Sequence, residues 1–127
     1  TEDRLRLVGY LLSEKMKVDC GIHIAYISLT REEKQRFNYQ IGDTEGIVNM
    51  PLAIDCINFS AMFIEALDHI KISFRSQGSF DVNRFAEAYF HGGGHRNAAG
   101  GKYFGPIQEA IARFEEIVRQ VGNHPEY

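Results

Sequence analysis

The chain has 127 residues, 44% hydrophobic and 24% charged, proportions that exclude disordered, collagen-like and coiled-coil classes and suit a single core. A formal net charge of −3 disfavours a long nucleic-acid duplex as partner unless cations gather on one face, and it leaves a short phosphate-bearing ligand open. No apolar run approaches the ~18 residues of a membrane span, and no basic-then-apolar signal segment stands at the start, so no membrane partner and a cytoplasmic location are expected.

Leu5, Val8, Leu11, Leu12 and Met16 recur at near-helical spacing, which predicts a helix over Arg4–Met16. Its abrupt beginning reads as the tail of an upstream domain, giving an expected division into helix 1–16, a domain over 17–121 and a tail at 122–127. Gly21–Leu29 is apolar on both parities and suits a strand buried on both faces. Thr30 with Glu33 forms a capping-box pattern for a helix ending near Asn38. A second short helix, capped by Asp43 or Thr44, is expected over Asp43–Met50 and should stop before Pro51.

Period-two alternation marks the next two segments, with Ile57, Phe59, Ala61 and Phe63 on one face of the first and Ile70, Ile72 and Phe74 on one face of the second. Leu67-Asp68 between them predicts an antiparallel hairpin, and Lys71, Ser73 and Arg75 form a polar row on the other face of its second strand. Asp81 caps a helix to about Phe90, a strand is expected around Ala98–Phe104, and Pro106 opens a final amphipathic helix. The fold class is therefore α/β: a mixed sheet of about five strands with helices packed on its faces. Cys20 and Cys56, 36 positions apart without paired-ligand spacing, are expected to be reduced, buried thiols, neither disulfide-bonded nor zinc-bound.

The sharpest local signal is Gly92-Gly93-Gly94-His95-Arg96. Three glycines let backbone N–H groups approach an anion closely, and the histidine and arginine add donors; the alternative is a loop that needs glycine only for its geometry. Arg75-Ser76-Gln77-Gly78 offers a planar guanidinium fork and a hydroxyl for phosphate, or else is an ordinary strand end. Asp43–Asn49 reads first as a helix start. His23, placed within a strand, and His69, by a turn, are expected to be structural or solvent-facing; His91 touches the glycine cluster, and His124 falls in the polar C-terminus. No Ser-His-acid or Cys-His arrangement stands at a recognisable spacing.

Taken together, Asp-Thr-Glu-Gly-Ile-Val-Asn at 43–49, Arg-Ser-Gln-Gly at 75–78, Asp-Val-Asn at 81–83 and Gly-Gly-Gly-His-Arg-Asn-Ala-Ala-Gly at 92–100 resemble the DHHA1 domain of the DHH phosphoesterase superfamily, over about residues 17–121. Most similar is its oligoribonuclease and phosphoadenosine-phosphatase branch. The resemblance implies substrate or phosphate binding by Arg75, Ser76, Gly92, Gly93, Gly94, His95 and Arg96, with Asn49, His91 and Asn97 as secondary candidates. His91 stands where the family has a first glycine, and Asn97 where it has glutamine.

The resemblance further implies an N-terminal DHH domain in the same polypeptide, holding two manganese ions with an Asp-His-His run, and leaves room for a homodimer of the parent enzyme. This chain has no such run; its one Asp-His pair is Asp68-His69, followed by isoleucine. Two-metal hydrolysis needs a cluster of carboxylates and imidazoles, so no cofactor and no catalytic residue are expected within the chain. The expected function is nucleotide and phosphate binding for hydrolysis of short oligoribonucleotides, dinucleotides or bisphosphorylated nucleosides. The alternatives are a stand-alone nucleic-acid-binding module, a domain like the related one at the C-terminus of alanyl-tRNA synthetases, which serves tRNA contact and association, or part of an inorganic polyphosphatase, towards which a pocket with no aromatic wall would point.

Overall fold

In the computed structural model, which describes residues 1–121, the chain runs α1 (Glu2–Tyr10), a π-helical turn (Leu11–Lys15), β1 (Lys17–Asp19), β2 (Ile24–Leu29) and α2 (Arg31–Arg36). A 3-10 helix (Ile47–Ala53), β3 (Phe59–Glu65), β4 (Ile70–Ser76), α3 (Val82–Tyr89), β5 (Gly93–His95), β6 (Ala98–Tyr103) and α4 (Ile107–Val121) follow. The expected tail at 122–127, with His124, lies outside the described residues. The α/β class and mixed sheet are as expected, with six strands in the order β1-β2-β3-β4-β6-β5. β2 and β3 are parallel and the other pairs antiparallel.

Each face of the sheet has its own core. On one, α3 and α4 press Val82, Phe85, Ala110, Phe114 and Val118 onto Phe59, Phe63, Ile72 and Phe74. Phe114 is the hub, meeting Phe63 edge-on with ring centroids 5.3 Å apart and Phe59 at 5.6 Å, arrangements that favour ring quadrupoles. On the other face, Leu7 and Leu11 from α1 and the π-helical turn, with Ile47 and Val48 from the 3-10 helix, cover Ile27, Leu29, Met62 and Ile64 of β2 and β3. The buried apolar residues that this second cover meets lie on β2 and β3. The outer face of β4 and β6 carries Lys71, Ser73 and Lys102.

Local chemistry accounts for several boundaries. Thr30 Oγ1 accepts from Glu33 N–H while Glu33 Oε1 accepts from Thr30 N–H, the reciprocal cap of α2. Asp81 accepts from Arg84 N–H at the start of α3. The buried Glu33 carboxylate also takes two bonds from Lys15 Nζ, at 2.7 and 2.8 Å, and one from Tyr10 O–H, tying α2 to the π-helical turn. Burial opposes its charge, but these donors prevail and hold its pKa down to about 2.

Four expectations are corrected. The first helix turns π-helical at Leu11 and ends at Lys15, before Met16. β2 begins at Ile24, because His23 takes φ 61° and its Nδ1 lies 2.9 Å from the Cys56 carbonyl, so His23 is a turn residue. The segment expected to be helical over Asp43–Met50 is turn up to Gly46, and the 3-10 helix then passes through Pro51; Asp43 bonds back to Gln40 N–H instead of capping it.

Finally, Cys20 and Cys56 are joined as a disulfide. Both precede strands that are parallel neighbours, in register from Ile24 with Phe59, and that topology brings their Cα atoms to 5.4 Å, within bonding range. The separation of 36 residues carried none of this.

Candidate functional site

β4 is buried at Ile70, Ile72, Phe74 and Ser76, and open at Lys71, Ser73 and Arg75. Pairing with β6 sets Lys71 opposite Lys102, Ser73 opposite Gly100 and Arg75 opposite Ala98, so these residues share one face. Gly100 and Ala98 keep that face low. The result is an open groove of about 600 Å³, lined by this row together with His69, His91 and Gly92–Gly94.

Among the described residues no aspartate or glutamate lines the groove. Lysines placed directly opposite each other on neighbouring strands repel, an arrangement that an anion between them would relieve. Arg75 donates through Nη1 to the carbonyls of Phe74, at 2.9 Å, and Ala99, at 3.3 Å, which holds its guanidinium against the strand ends. Among the described residues no hydrogen bond engages its Nε or Nη2, which leaves a fork for phosphate oxygens.

Ser76 lies on the opposite face. Its hydroxyl donates to Phe80 O at 2.7 Å and accepts from Asn97 Nδ2 at 2.8 Å, while Asn97 also reaches Gly78 O. Ser76 and Asn97 thus fasten the end of β4 to the β5–β6 turn. Arg96 helps from the same turn, its carbonyl accepting from Val82 N–H at the start of α3.

The glycine cluster, expected as a loop, is largely edge strand. Gly92 N–H donates to Ala86 O and Gly94 N–H to Asn83 Oδ1, so two of its amides are engaged within the protein. Glycine is required for close approach: a Cβ at Gly92 would sit 1.8 Å from Gly100 O, and one at Gly94 2.6 Å from Ala98 O. His95 is exposed opposite Ala98, and Asn49 is exposed on the 3-10 helix; neither is among the residues lining the groove. His91, with φ 49°, does line the groove.

Sequence reasoning noted the Lys71–Ser73–Arg75 row but missed Lys102 and His69 as groove residues. Lys102 shares a face with Lys71 only through strand register. His69 was legible in part, since Asp68 beside it binds its Nδ1 at 2.7 Å. That hydrogen bond, with the charge of Lys102 contributing, draws the Asp68 carboxyl below its ordinary pKa.

Among the described residues no group of three or more His, Cys, Asp or Glu could hold a metal ion. No helix among the described residues is long and apolar enough to cross a membrane.

A family model described as the DHHA1 domain matches residues 21–121. The chain is 30% identical over 119 residues to a probable bifunctional oligoribonuclease and PAP phosphatase of Streptococcus mutans, covering 93% of this chain and 36% of that protein. It is 32% identical over 112 residues to a 3′,5′-cyclic-nucleotide phosphodiesterase of Helicobacter pylori, covering 88% and 29%. It thus spans about a third of the length of these curated relatives. Among solved structures, an exopolyphosphatase-related protein from Bacteroides fragilis is 48% identical with a TM-score of 0.92, over 96% of this chain and 36% of that one. A pGpG-specific phosphodiesterase from Vibrio cholerae, 17% identical with a TM-score of 0.68 over 94% of this chain and 39% of that one, shares the fold.

Proposed function

The chain belongs to the DHHA1 domain family, and from that premise we propose that its groove binds the phosphates of a short oligoribonucleotide, dinucleotide or bisphosphorylated nucleoside. Hydrolysis falls to an N-terminal DHH domain outside this chain, carrying two manganese ions, and the parent enzyme acts in the cytoplasm. The chain alone supplies binding and no turnover. The observation that carries the reading is the cross-strand pair Lys71–Lys102 in line with Arg75, in a groove that no acidic side chain lines among the described residues. A cationic row with a free guanidinium fork suits a ligand with more than one phosphate, whereas a purely structural strand face would gain stability from an opposite-charge pair.

In this reading Arg75 clamps the phosphate next to the scissile bond and opposes its developing charge. Lys71 and Lys102 hold the neighbouring phosphate. Gly92, Gly93 and Gly94 let the ligand lie close to the backbone, and His95 donates a hydrogen bond from the rim. Ser76, Arg96 and Asn97 act from behind by holding the β4 end and the β5–β6 turn in place.

Inorganic polyphosphate is a second reading, favoured by the same cation row and by the description of the Bacteroides fragilis relative. Calorimetric titration of the chain with a short oligoribonucleotide at several salt concentrations tests the first reading. Saturable binding that weakens with salt and with Arg75→Ala supports it. No binding of the oligoribonucleotide, with polyphosphate bound in its stead, replaces it by the second.

A further inference from the structure

Phe104 is 65% exposed, yet it is not loose on the surface. Tyr103 before it packs against the α3–α4 core and donates through its hydroxyl to Glu109 at 3.2 Å. Gly105 after it takes φ 149°, where a Cβ would stand 2.8 Å from the Tyr103 ring. Anchored on one side and turned sharply on the other, the Phe104 ring is left standing at the end of β6. Its centroid lies 6.2 Å from that of His69 and 6.4 Å from that of His91. Both imidazoles line the groove, and Asp68 fixes the orientation of the His69 ring.

Isolated exposed apolar side chains are ordinary and need no explanation. This one differs in its place. It stands two residues beyond Lys102, just past the end of β6, flanked by two groove-lining rings. From Ala98, opposite Arg75, to Phe104 is six residues, roughly 20 Å at about 3.3 Å per strand residue. A single phosphate needs nothing so long. A groove with cations along its length and an aromatic cluster at one end matches a ligand that alternates phosphates with flat π-faces, the arrangement by which single strands are held without base-edge readout.

We propose that Phe104, braced by His69 and His91, is the platform on which a nucleobase stacks at the end of the groove remote from Arg75. The proposal rests on the nucleotide reading above and sharpens it. Affinity at that end comes from the base and is tolerant of its identity, while affinity along the Lys71–Lys102 row comes from phosphate alone. A polyphosphate ligand would make no use of Phe104.

The test compares a trinucleotide of adenosine with an abasic ribose-phosphate trimer of equal charge, titrated into the chain and into Phe104→Ala, Phe104→Trp and Arg75→Ala. The expected result is that Phe104→Ala weakens trinucleotide binding by about tenfold or more, leaves the abasic trimer unchanged, and is rescued by Phe104→Trp. Arg75→Ala should weaken both ligands. If Phe104→Ala leaves trinucleotide binding intact, or weakens both ligands equally, the stacking platform is wrong while the nucleotide reading stands. If the unsubstituted chain binds neither ligand, the nucleotide reading falls and the platform with it. Phe104 is exposed, so circular dichroism of the variants should match the parent chain.

Discussion

Arg75 and Ser76 are neighbours in sequence and stand on opposite faces of the sheet, one in the groove and the other bonded to Phe80 and Asn97 beneath it. The pair that reads as one phosphate motif therefore divides into a ligand contact and a fastening. Arg75→Ala should weaken oligoribonucleotide binding by about 2–3 kcal/mol, the worth of a charge-assisted bond, with little change in denaturation midpoint. Ser76→Ala should do the reverse, lowering stability by about 1–2 kcal/mol as the Asn97 amide and Phe80 carbonyl lose a partner. Titration and urea denaturation of both variants separate the two roles.

The facing lysines allow a charge swap with opposite consequences for fold and ligand. Lys71→Glu would set a carboxylate across from Lys102 and replace repulsion with attraction. The expected gain in stability is about 0.2–1 kcal/mol, visible as a raised denaturation midpoint at low salt and diminished at high salt. Anion binding should fall sharply in the same variant. A variant that keeps its affinity would remove Lys71 from the site.

Acid sensitivity should trace to Glu33. Its carboxyl is held at about 2 against an ordinary 4.5, so the folded state binds its proton less readily than the unfolded chain does. The associated stability is fully present above pH 4.5 and is lost as the pH falls from there through about 2. The shift corresponds to about 3 kcal/mol. Glu33→Gln should therefore be less stable than the parent at pH 6, with the difference narrowing towards pH 2 in denaturation curves.

Reduction of Cys20–Cys56 should lower stability without abolishing the fold. The bond closes a loop spanning 36 residues of separation, worth about 3–4 kcal/mol by loop-closure entropy. Both cores lie elsewhere, in the phenylalanine cluster and in the Leu7–Met62 cluster. Cytoplasmic reducing conditions would favour the thiol form. Denaturation with and without reductant, beside Cys20→Ser, should show matching losses.

Legibility in the sequence followed the range of the interactions. The Thr30–Glu33 cap, the Asp81 cap and the alternation of β4 are set by residues a few positions apart, and each stands as read, whereas β3 begins at Phe59, after Ile57, and is buried on both faces. β1 escaped notice because Lys17, Val18 and Asp19 are all exposed, so no burial pattern marks them. The disulfide escaped because only parallel pairing of β2 with β3 brings its cysteines together. In the site, Lys71, Arg75 and the glycines were visible as local signals. Lys102 needed the register of β6 on β4, and Phe104 needed the turn at Gly105. What the chain brings together by pairing strands, rather than by spacing, is where reading residues in order runs out.

Lys71, Ser73 and Lys102 belong to neither of the two buried apolar clusters. Apart from the charge-pair gain of Lys71→Glu, exchanges at these three positions should cost no more than a surface substitution, about 0.5 kcal/mol. Ligand preference can then drift by single changes while the phenylalanine cluster keeps the scaffold folded. A library confined to positions 71, 73, 102 and 104 would explore specificity on a chassis that does not have to be rescued each time.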